Sequence, residues 1–369
     1  MKHSLLFMAL FLLILTWCNL LSYAQVSSSF TASSSGVIVY NATTTDGWLH
    51  TDGIWVKDSA GRKVAMRMIA NFPWDFSYIN KSAFIQNSKA HGINVIFLGF
   101  RPPETADELP NFSFDFDAQI QQMDQIVNLI KQNGVYVGLV YLHATTPLAK
   151  NHGLTTVDQV ISHLLKVWTP IIDHYKNESA VVGVKLLDEP NLSSEDEAKL
   201  WKDTIGALRQ INPNLLWFTH TITELRFGEQ YWHNLPWQTP SEVPYPNILM
   251  DGGIWISATN NPEVYDPYYG TTTEQQAYDR ADQIYNDVIE RMTRFRNTIQ
   301  VPTGITPGID DYYDKVTART YLMTKLARWM EQNRYKLSLY SADYQLGPND
   351  GLDVLNRVFP DTPYPYYWG

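Results

Sequence analysis

The chain has 369 residues, 44% of them hydrophobic and 18% charged, a globular balance that excludes a disordered or fibrous protein. That length holds roughly two or three ordinary domains or one large α/β barrel. Its 28 Lys and Arg face 38 Asp and Glu, a formal charge of −10 with no basic run, which argues against nucleic acid, an anionic membrane surface or a polyanionic substrate as partner.

Lys2 and His3 precede an apolar run, Leu5 to Leu15, and Ser22-Tyr23-Ala24 offers small residues at the −3 and −1 positions of a cleavage site. Residues 1–24 therefore read as a secretory signal peptide. The alternative is an uncleaved membrane anchor, although Thr16, Asn19 and Ser22 interrupt the run. The only cysteine, Cys18, lies within this segment, so the mature chain would carry no disulfide and no thiolate chemistry. Asn41, Asn80, Asn111, Asn177 and Asn191 each begin a glycosylation triplet. Together these features predict a secreted or cell-surface glycoprotein. Residues 25–36, rich in Ser, form a flexible leader.

From Val37 no linker or low-complexity stretch interrupts the chain, which predicts a single domain over residues 37–369. A hairpin comes first, Trp48 to Val56 and Arg62 to Ala70, joined by Lys57-Asp58-Ser59-Ala60-Gly61. Eight apolar runs follow the strand pattern: Val64 to Ala70, Ile93 to Phe100, Val135 to Leu142, Val181 to Leu187, Leu215 to Thr219, Ile248 to Ile254, Ile299 to Ile305 and Leu337 to Ala342. Near-continuous hydrophobicity is what strands buried on both faces require.

Helical stretches separate them. Ile120, Met123, Val127 and Ile130 recur at helical spacing and stop at Asn133-Gly134. Ser194 with Glu197, and Thr273 with Gln276, are expected capping boxes. Eight strands alternating with helices predict a (β/α)8 TIM barrel with an N-terminal hairpin, and no Gly-rich phosphate loop supports the open-sheet alternative. Active sites of such barrels lie beyond the C-terminal ends of the strands.

The fourth strand runs into Asp188-Glu189-Pro190-Asn191. Adjacent carboxylates repel, and the repulsion raises the pKa of one, which is one way to make a general acid. The competing reading is that these residues only open a loop and prepare the helix near Ser194. Here the chain resembles glycoside hydrolase family 5 and its clan A relatives: VVGVKLLDEPN, Val181 to Asn191, is similar to their fourth-strand signature, in which Asn-Glu-Pro carries the acid/base Glu. Gly53 to Asn71, His91 to Leu98 and Tyr136 to Ala144 are similar to the family's N-terminal segment and its second and third strands. The resemblance implies Glu189 as acid/base, His143 as a substrate contact, and an aromatic floor near Tyr340 and Tyr344.

Several positions depart from that pattern. Asp188 stands where the family has Asn, and Phe97 where its second strand carries Arg, with Arg101 four residues later. Gly253 and Trp255 replace a His and a Tyr on the sixth strand, and IQVPTGITPGIDD, Ile299 to Asp311, contains no nucleophilic Glu.

Three accounts follow. In the first, Glu189 is the acid and Asp310, brought inward by a Pro307-Gly308 turn, is the second carboxylate, with Asp251, Glu224 and Glu104 as alternatives. In the second, Asp188 and Glu189 assist hydrolysis by a substrate's own 2-acetamido group, which needs a bulge at the strand end. In the third, the barrel is catalytically silent and binds glycans or builds a surface.

The substrate expected is a β-linked polysaccharide or glycan. Trp74, Trp232, Trp237 and Trp255 are candidate sugar platforms, Trp255 and Tyr344 foremost, while Trp201 and Trp329 sit at helical spacing and belong to the core. His220 is a candidate substrate contact. His143, His152, His220 and His233 lack the close spacing of a metal site, so neither metal nor other cofactor is expected.

Overall fold

The computed structural model describes residues 47–73, 81–90, 92–100, 116–141, 153–187, 190, 192–221, 236–256, 266–309, 317–333 and 335–340. The chain divides into two compact units, Met1–Asn41 and Ala42–Gly369, and every described residue belongs to the second. Among the described residues no helix is long and apolar enough to cross a membrane.

In chain order the elements are β1 (His50–Asp52), β2 (Trp55–Lys57), β3 (Arg67–Pro73), α1 (Lys81–Ala90), β4 (Val95–Phe100), α2 (Phe116–Gln132), β5 (Tyr136–Tyr141), α3 (Val157–His174), β6 (Val181–Lys185), α4 (Ser194–Leu208), β7 (Leu216–Thr221), β8 (Ile248–Ile256), α5 (Glu274–Ile299), β9 (Thr303–Ile309), α6 (Ala318–Gln332) and β10 (Lys336–Tyr340). Strands β3 to β10 pair in parallel and close into a barrel, β10 meeting β3 through Leu337 opposite Arg67. The predicted (β/α)8 architecture is the one observed.

The opening hairpin is tighter than expected. β1 and β2 pair antiparallel around Asp52 to Trp55, where Gly53 takes the left-handed φ of 56° that the turn requires. The Lys57 to Gly61 stretch is a second turn, in which the Asp58 carboxylate accepts from the Ala60 and Arg62 N–H groups. Leu49, Val56, Val64 and Met66 join the apolar cluster inside the barrel, so this segment seals its N-terminal end. Thr51 and Asn247 lock it in place: the Asn247 Oδ1 accepts from the Thr51 N–H and the Thr51 hydroxyl from the Asn247 N–H, both at 3.0 Å.

Strand alternation divides the apolar residues into two populations. Met68, Val95, Phe97, Tyr136, Val140, Val182, Leu216, Phe218 and Leu249 fill the interior. Ile96, Leu98, Leu139, Val184, Trp217 and Met250 pack outward against helical residues such as Met123, Leu164, Trp168, Trp201 and Ile284. Phe97 and Phe218 meet edge to face at 4.8 Å between centroids. They fit because their neighbours lack side chains: a Cβ on Gly138 would stand 2.5 Å from the Phe97 ring, and one on Gly183 would stand 2.7 Å from the Phe218 ring.

One strand and one cap differ from expectation. Ile299 is the last residue of α5, which ends at left-handed Gln300 (φ 54°), and the seventh barrel strand runs Thr303–Ile309. Pro307 and Gly308 are therefore strand residues, paired with Ile254 and Trp255, and not a turn. The Thr273 and Gln276 capping box forms as expected. For α4 the N-cap is Ser193, whose hydroxyl accepts from the Asp196 N–H at 3.2 Å. Glu197 is consequently freed from the expected cap role; it is buried at 3% exposure and accepts from Trp201 Nε1 at 3.0 Å.

Burial pushes the Glu197 carboxyl up to about 8, against the pull of the Trp201 hydrogen bond. Between its ordinary value of 4.5 and about 8 the folded protein holds a proton that the unfolded chain has lost, so stability declines as pH rises through that window. Glu197→Gln keeps an acceptor for Trp201 without titrating. It is expected to flatten this decline and to be more stable than the wild type at pH 8, as checked by urea unfolding at pH 5 and pH 8.

The Gly138 contact gives a second test. Gly138→Ala must displace the buried Phe97 ring and is expected to destabilise by about 1 to 3 kcal/mol, as overpacked cores do. Thermal unfolding of Gly138→Ala, Phe97→Leu and the double variant should show strong non-additivity, the smaller side chain relieving the clash.

Candidate active site

The mouth end of β6 is held on both sides. Leu186 and Leu187 are buried, and the fully buried Trp168 of α3 donates from Nε1 to the Leu186 carbonyl at 2.9 Å. Pro190 is buried as well. Asp188, Glu189 and Asn191 between and beyond these anchors lie outside the described residues, as do Trp74, Arg101, Glu104, His143, His152, Glu224, Trp232, His233, Asp310 and Tyr344. The backbone fixes where several of them attach. Arg101 directly follows β4, His143 follows β5 by two residues, and Asp310 is the first residue after β9.

Within the described residues the mouth holds a buried pair of opposite charges. Lys185, the last residue of β6, and Asp251 of β8 are 6% and 4% exposed, with Nζ and Oδ2 4.0 Å apart. Phe218 is registered beside Lys185 on β7, and two residues later His220 is registered beside Asp251. Asp251 was expected among the alternative second carboxylates; the fold gives it a cationic neighbour. Lys185 was not anticipated. Its signal was a single Lys inside VVGVKLL, a run otherwise apolar enough for a strand buried on both faces.

A second ion pair steadies the loops around the mouth. Arg319, in the first turn of α6, donates from Nε and Nη2 to the two carboxylate oxygens of Asp266 at 2.8 and 3.0 Å. The Tyr268 hydroxyl accepts from the Ala318 N–H at 3.1 Å and donates to Glu274 at 2.7 Å. The segment leading from β8 into α5 is thus tied to the start of α6, behind the residues that follow β9.

The sugar-platform candidates separate. Trp237 is 3% exposed and packed in the outer core, which removes it from that role. Trp255 lies in β8, opposite Gly308. Trp201 is fully buried and Trp329 packs against the core, stacked on Tyr335 at 4.7 Å, as helical spacing predicted. Phe97, at the position where the resemblance placed an Arg, is a filler of the barrel interior. Among the described residues no cluster of three His, Cys, Asp or Glu has a metal-holding arrangement.

Comparison with known proteins agrees with this architecture. The family model for cellulase, glycosyl hydrolase family 5, matches residues 57–298. Endoglucanase B of Acetivibrio thermocellus is 23% identical over 309 residues, 70% of this chain and 50% of the relative, so the chain spans about half the length of that curated protein. The structure of endo-glycoceramidase II from a Rhodococcus species aligns over 82% of this chain and 80% of its own, with a TM-score of 0.60 and 13% identity. An endocellulase from the archaeon Pyrococcus horikoshii aligns over 86% of this chain and 100% of its own, with a TM-score of 0.56 and 13% identity. With more than half of its length matched by the family model, the chain belongs to the cellulase family of glycosyl hydrolases, family 5.

Proposed function

We propose that the protein is an exported hydrolase of β-linked polysaccharide or glycan, with Glu189 as general acid. The observation that carries this reading is the attachment of Asp188-Glu189 directly beyond the pinned mouth end of β6 in a family 5 barrel. Relatives named as endoglucanase and endocellulase support a β-glucan chain as the first substrate to test. Export, and with it glycosylation of some of the five triplets, is supported by the character of residues 1–24.

The chemistry proceeds from charge. Asp188 beside Glu189 opposes its ionisation and keeps it protonated towards neutral pH, ready to protonate the glycosidic oxygen. The second carboxylate is Asp310. That choice is supported by the extent of β9: it runs to Ile309, so Asp310 is the next residue in sequence after a barrel strand, where barrel enzymes draw catalytic residues. Asp is shorter than Glu by one methylene. The added separation leaves room for a water between carboxylate and anomeric carbon, which favours a single inverting displacement. His143, His220, Arg101, Trp74, Trp255 and Tyr344 attach at or near the ends of other barrel strands, where they surround a bound sugar; stacking and hydrogen bonding orient it, and no metal or cofactor is required.

The substrate-assisted route is the second reading, for a substrate that carries a 2-acetamido group. It asks for a bulge at Asp188 and Glu189, which lie outside the described residues, and the register shift seen among the described residues of β6 is at its start, between Val181 and Gly183.

Reducing-sugar release from a panel of polysaccharides tests the proposal. The wild type is expected to release sugar from a β-glucan, and Glu189→Gln to lose at least about 100-fold of that activity. No release from any glycan would instead support the silent, binding or surface-building barrel. Asp310→Asn is expected to abolish turnover, and proton NMR of the first-formed product to show the inverted anomer. A retained anomer from a fully active Asp310→Asn enzyme would remove Asp310 from the mechanism, and on an acetamido sugar would favour substrate assistance.

A further inference from the structure

On the outside of the barrel, the seam between α5 and α6 carries a band of tyrosines. Tyr269 is 50% exposed, and Tyr278, Tyr285 and Tyr321 are half-buried, packed in part on the outer core and in part open to solvent. Apolar residues scattered singly over a surface need no explanation, but these are neighbours. Tyr278 meets Tyr321 edge to face at 5.3 Å, and the Lys325 ammonium lies 4.3 Å from the Tyr285 ring centre and 5.4 Å from that of Tyr321. Asp282 stands among them, its Oδ1 accepting from the Tyr321 hydroxyl at 2.8 Å and from Lys325 Nζ at 2.6 Å.

The band begins beside the mouth. α5 and α6 follow the C-terminal ends of β8 and β9, so their first turns lie on the mouth side and the helices run back towards the base. Tyr269 precedes α5 on a turn with little freedom. The Tyr268 and Tyr269 N–H groups donate to the Asp266 side chain and carbonyl at 3.1 and 3.2 Å, Gly270 takes a left-handed φ of 71°, and the Thr271 hydroxyl donates to the Tyr268 carbonyl at 2.9 Å. Arg280 Nε donates to the Asp266 carbonyl at 2.9 Å, and its guanidinium lies 5.6 Å from the Tyr269 ring centre. A ring presented on a backbone already fixed gives up little entropy on binding.

Chemistry points to the occupant. Arg319 is paired with Asp266 and Lys325 with Asp282, and the chain carries a formal charge of −10, so the band does not suit a polyanion. The rings offer apolar faces, and their hydroxyls and the Asp282 carboxylate, its side chain 47% exposed, offer hydrogen bonds beside those faces. A neutral sugar chain presents the matching combination of apolar C–H faces and hydroxyl edges. Tyr278 and Tyr285 are seven residues apart, about 10 Å along α5, which leaves room for more than one sugar ring.

We propose that this band is a second glycan-binding surface, outside the cleft, that takes a neutral β-linked polysaccharide and holds it beside the mouth. The proposal rests on the reading of the substrate and is independent of which carboxylates act on it. A polymer held at two places gains affinity through effective concentration, so the benefit falls on long chains and not on short oligosaccharides.

Binding isotherms on insoluble cellulose and insoluble mannan test this, with the full chain carrying Glu189→Gln to prevent turnover. The protein is expected to bind at least one of the two polymers. Tyr269→Ala is expected to weaken that binding about threefold and Tyr278→Ala/Tyr285→Ala about tenfold, as the loss of one and of two aromatic contacts would. Tyr269→Phe, which keeps the ring, is expected to retain most of it. With Glu189 restored, kcat and KM on a short soluble oligosaccharide are expected to stay unchanged in all three variants, while the rate on dilute polymer falls.

Binding to neither polymer, or binding that the tyrosine variants leave unchanged, overturns the proposal. So does an equal loss on the short oligosaccharide, which would place the rings in the cleft. Should the helix variant fail to fold, Tyr269→Ala decides, because it alters only an exposed turn. Weakened binding in a protein that cleaves no glycan upholds the surface and rejects the hydrolase, whereas an active enzyme whose variants bind polymer as the wild type does gives the reverse result.

Discussion

An eight-stranded barrel encloses just enough space for side chains to fill, and in this protein that limit is met by two large rings placed over two glycines. Phe97 and Phe218 occupy the centre because Gly138 and Gly183 vacate it. Much else follows from this packing. With the middle filled by aromatic rings and the N-terminal end sealed by Leu49, Val56, Val64 and Met66, the apolar interior reaches from the base upwards; the charged Lys185 is registered beside Phe218, and Asp251 follows Leu249 by two residues on β8.

The same packing bears on the departures from the family pattern. The resemblance placed a cation on the second barrel strand, where Phe97 stands. An Arg there would be buried against the Phe218 ring, without the solvation that a guanidinium needs. Among the described residues, buried cations stand instead at Arg67, the first residue of the first barrel strand, and at Lys185 on the fourth, which faces a carboxylate on the sixth.

The strands were legible because burial on both faces leaves a continuous apolar run, as in Val135 to Tyr141 or Val181 to Leu187, and all eight were recognisable in order. The seventh was misplaced because Ile299 and Val301 read as strand, while Ile299 in fact closes the apolar face of α5; only the left-handed Gln300 separates the two uses. The cap of α4 moved by one residue for a related reason, since Ser193 and Ser194 are alike in sequence, and only Ser193 has the extended backbone whose hydroxyl accepts from the Asp196 N–H. Lys185 and Asp251 were not legible as partners. They are 66 residues apart, and their approach depends on the register of β6, β7 and β8 together, which no local pattern encodes.

The seventh barrel strand ends at Ile309, the residue before Asp310. Had the strand ended at Ile305, Asp310 would have belonged to a loop of undefined direction, and its carboxyl could serve only if a turn returned it to the sugar. With Thr303 to Ile309 paired continuously to β8 from Met250 to Ile256, the backbone is fixed up to the residue before Asp310. Behind it, the Asp266 to Arg319 ion pair and the Tyr268 hydroxyl hold the start of α6. The described chain on either side of residues 310–316 is thus held, by the β8 pairing before it and by the Asp266 to Arg319 ion pair after it.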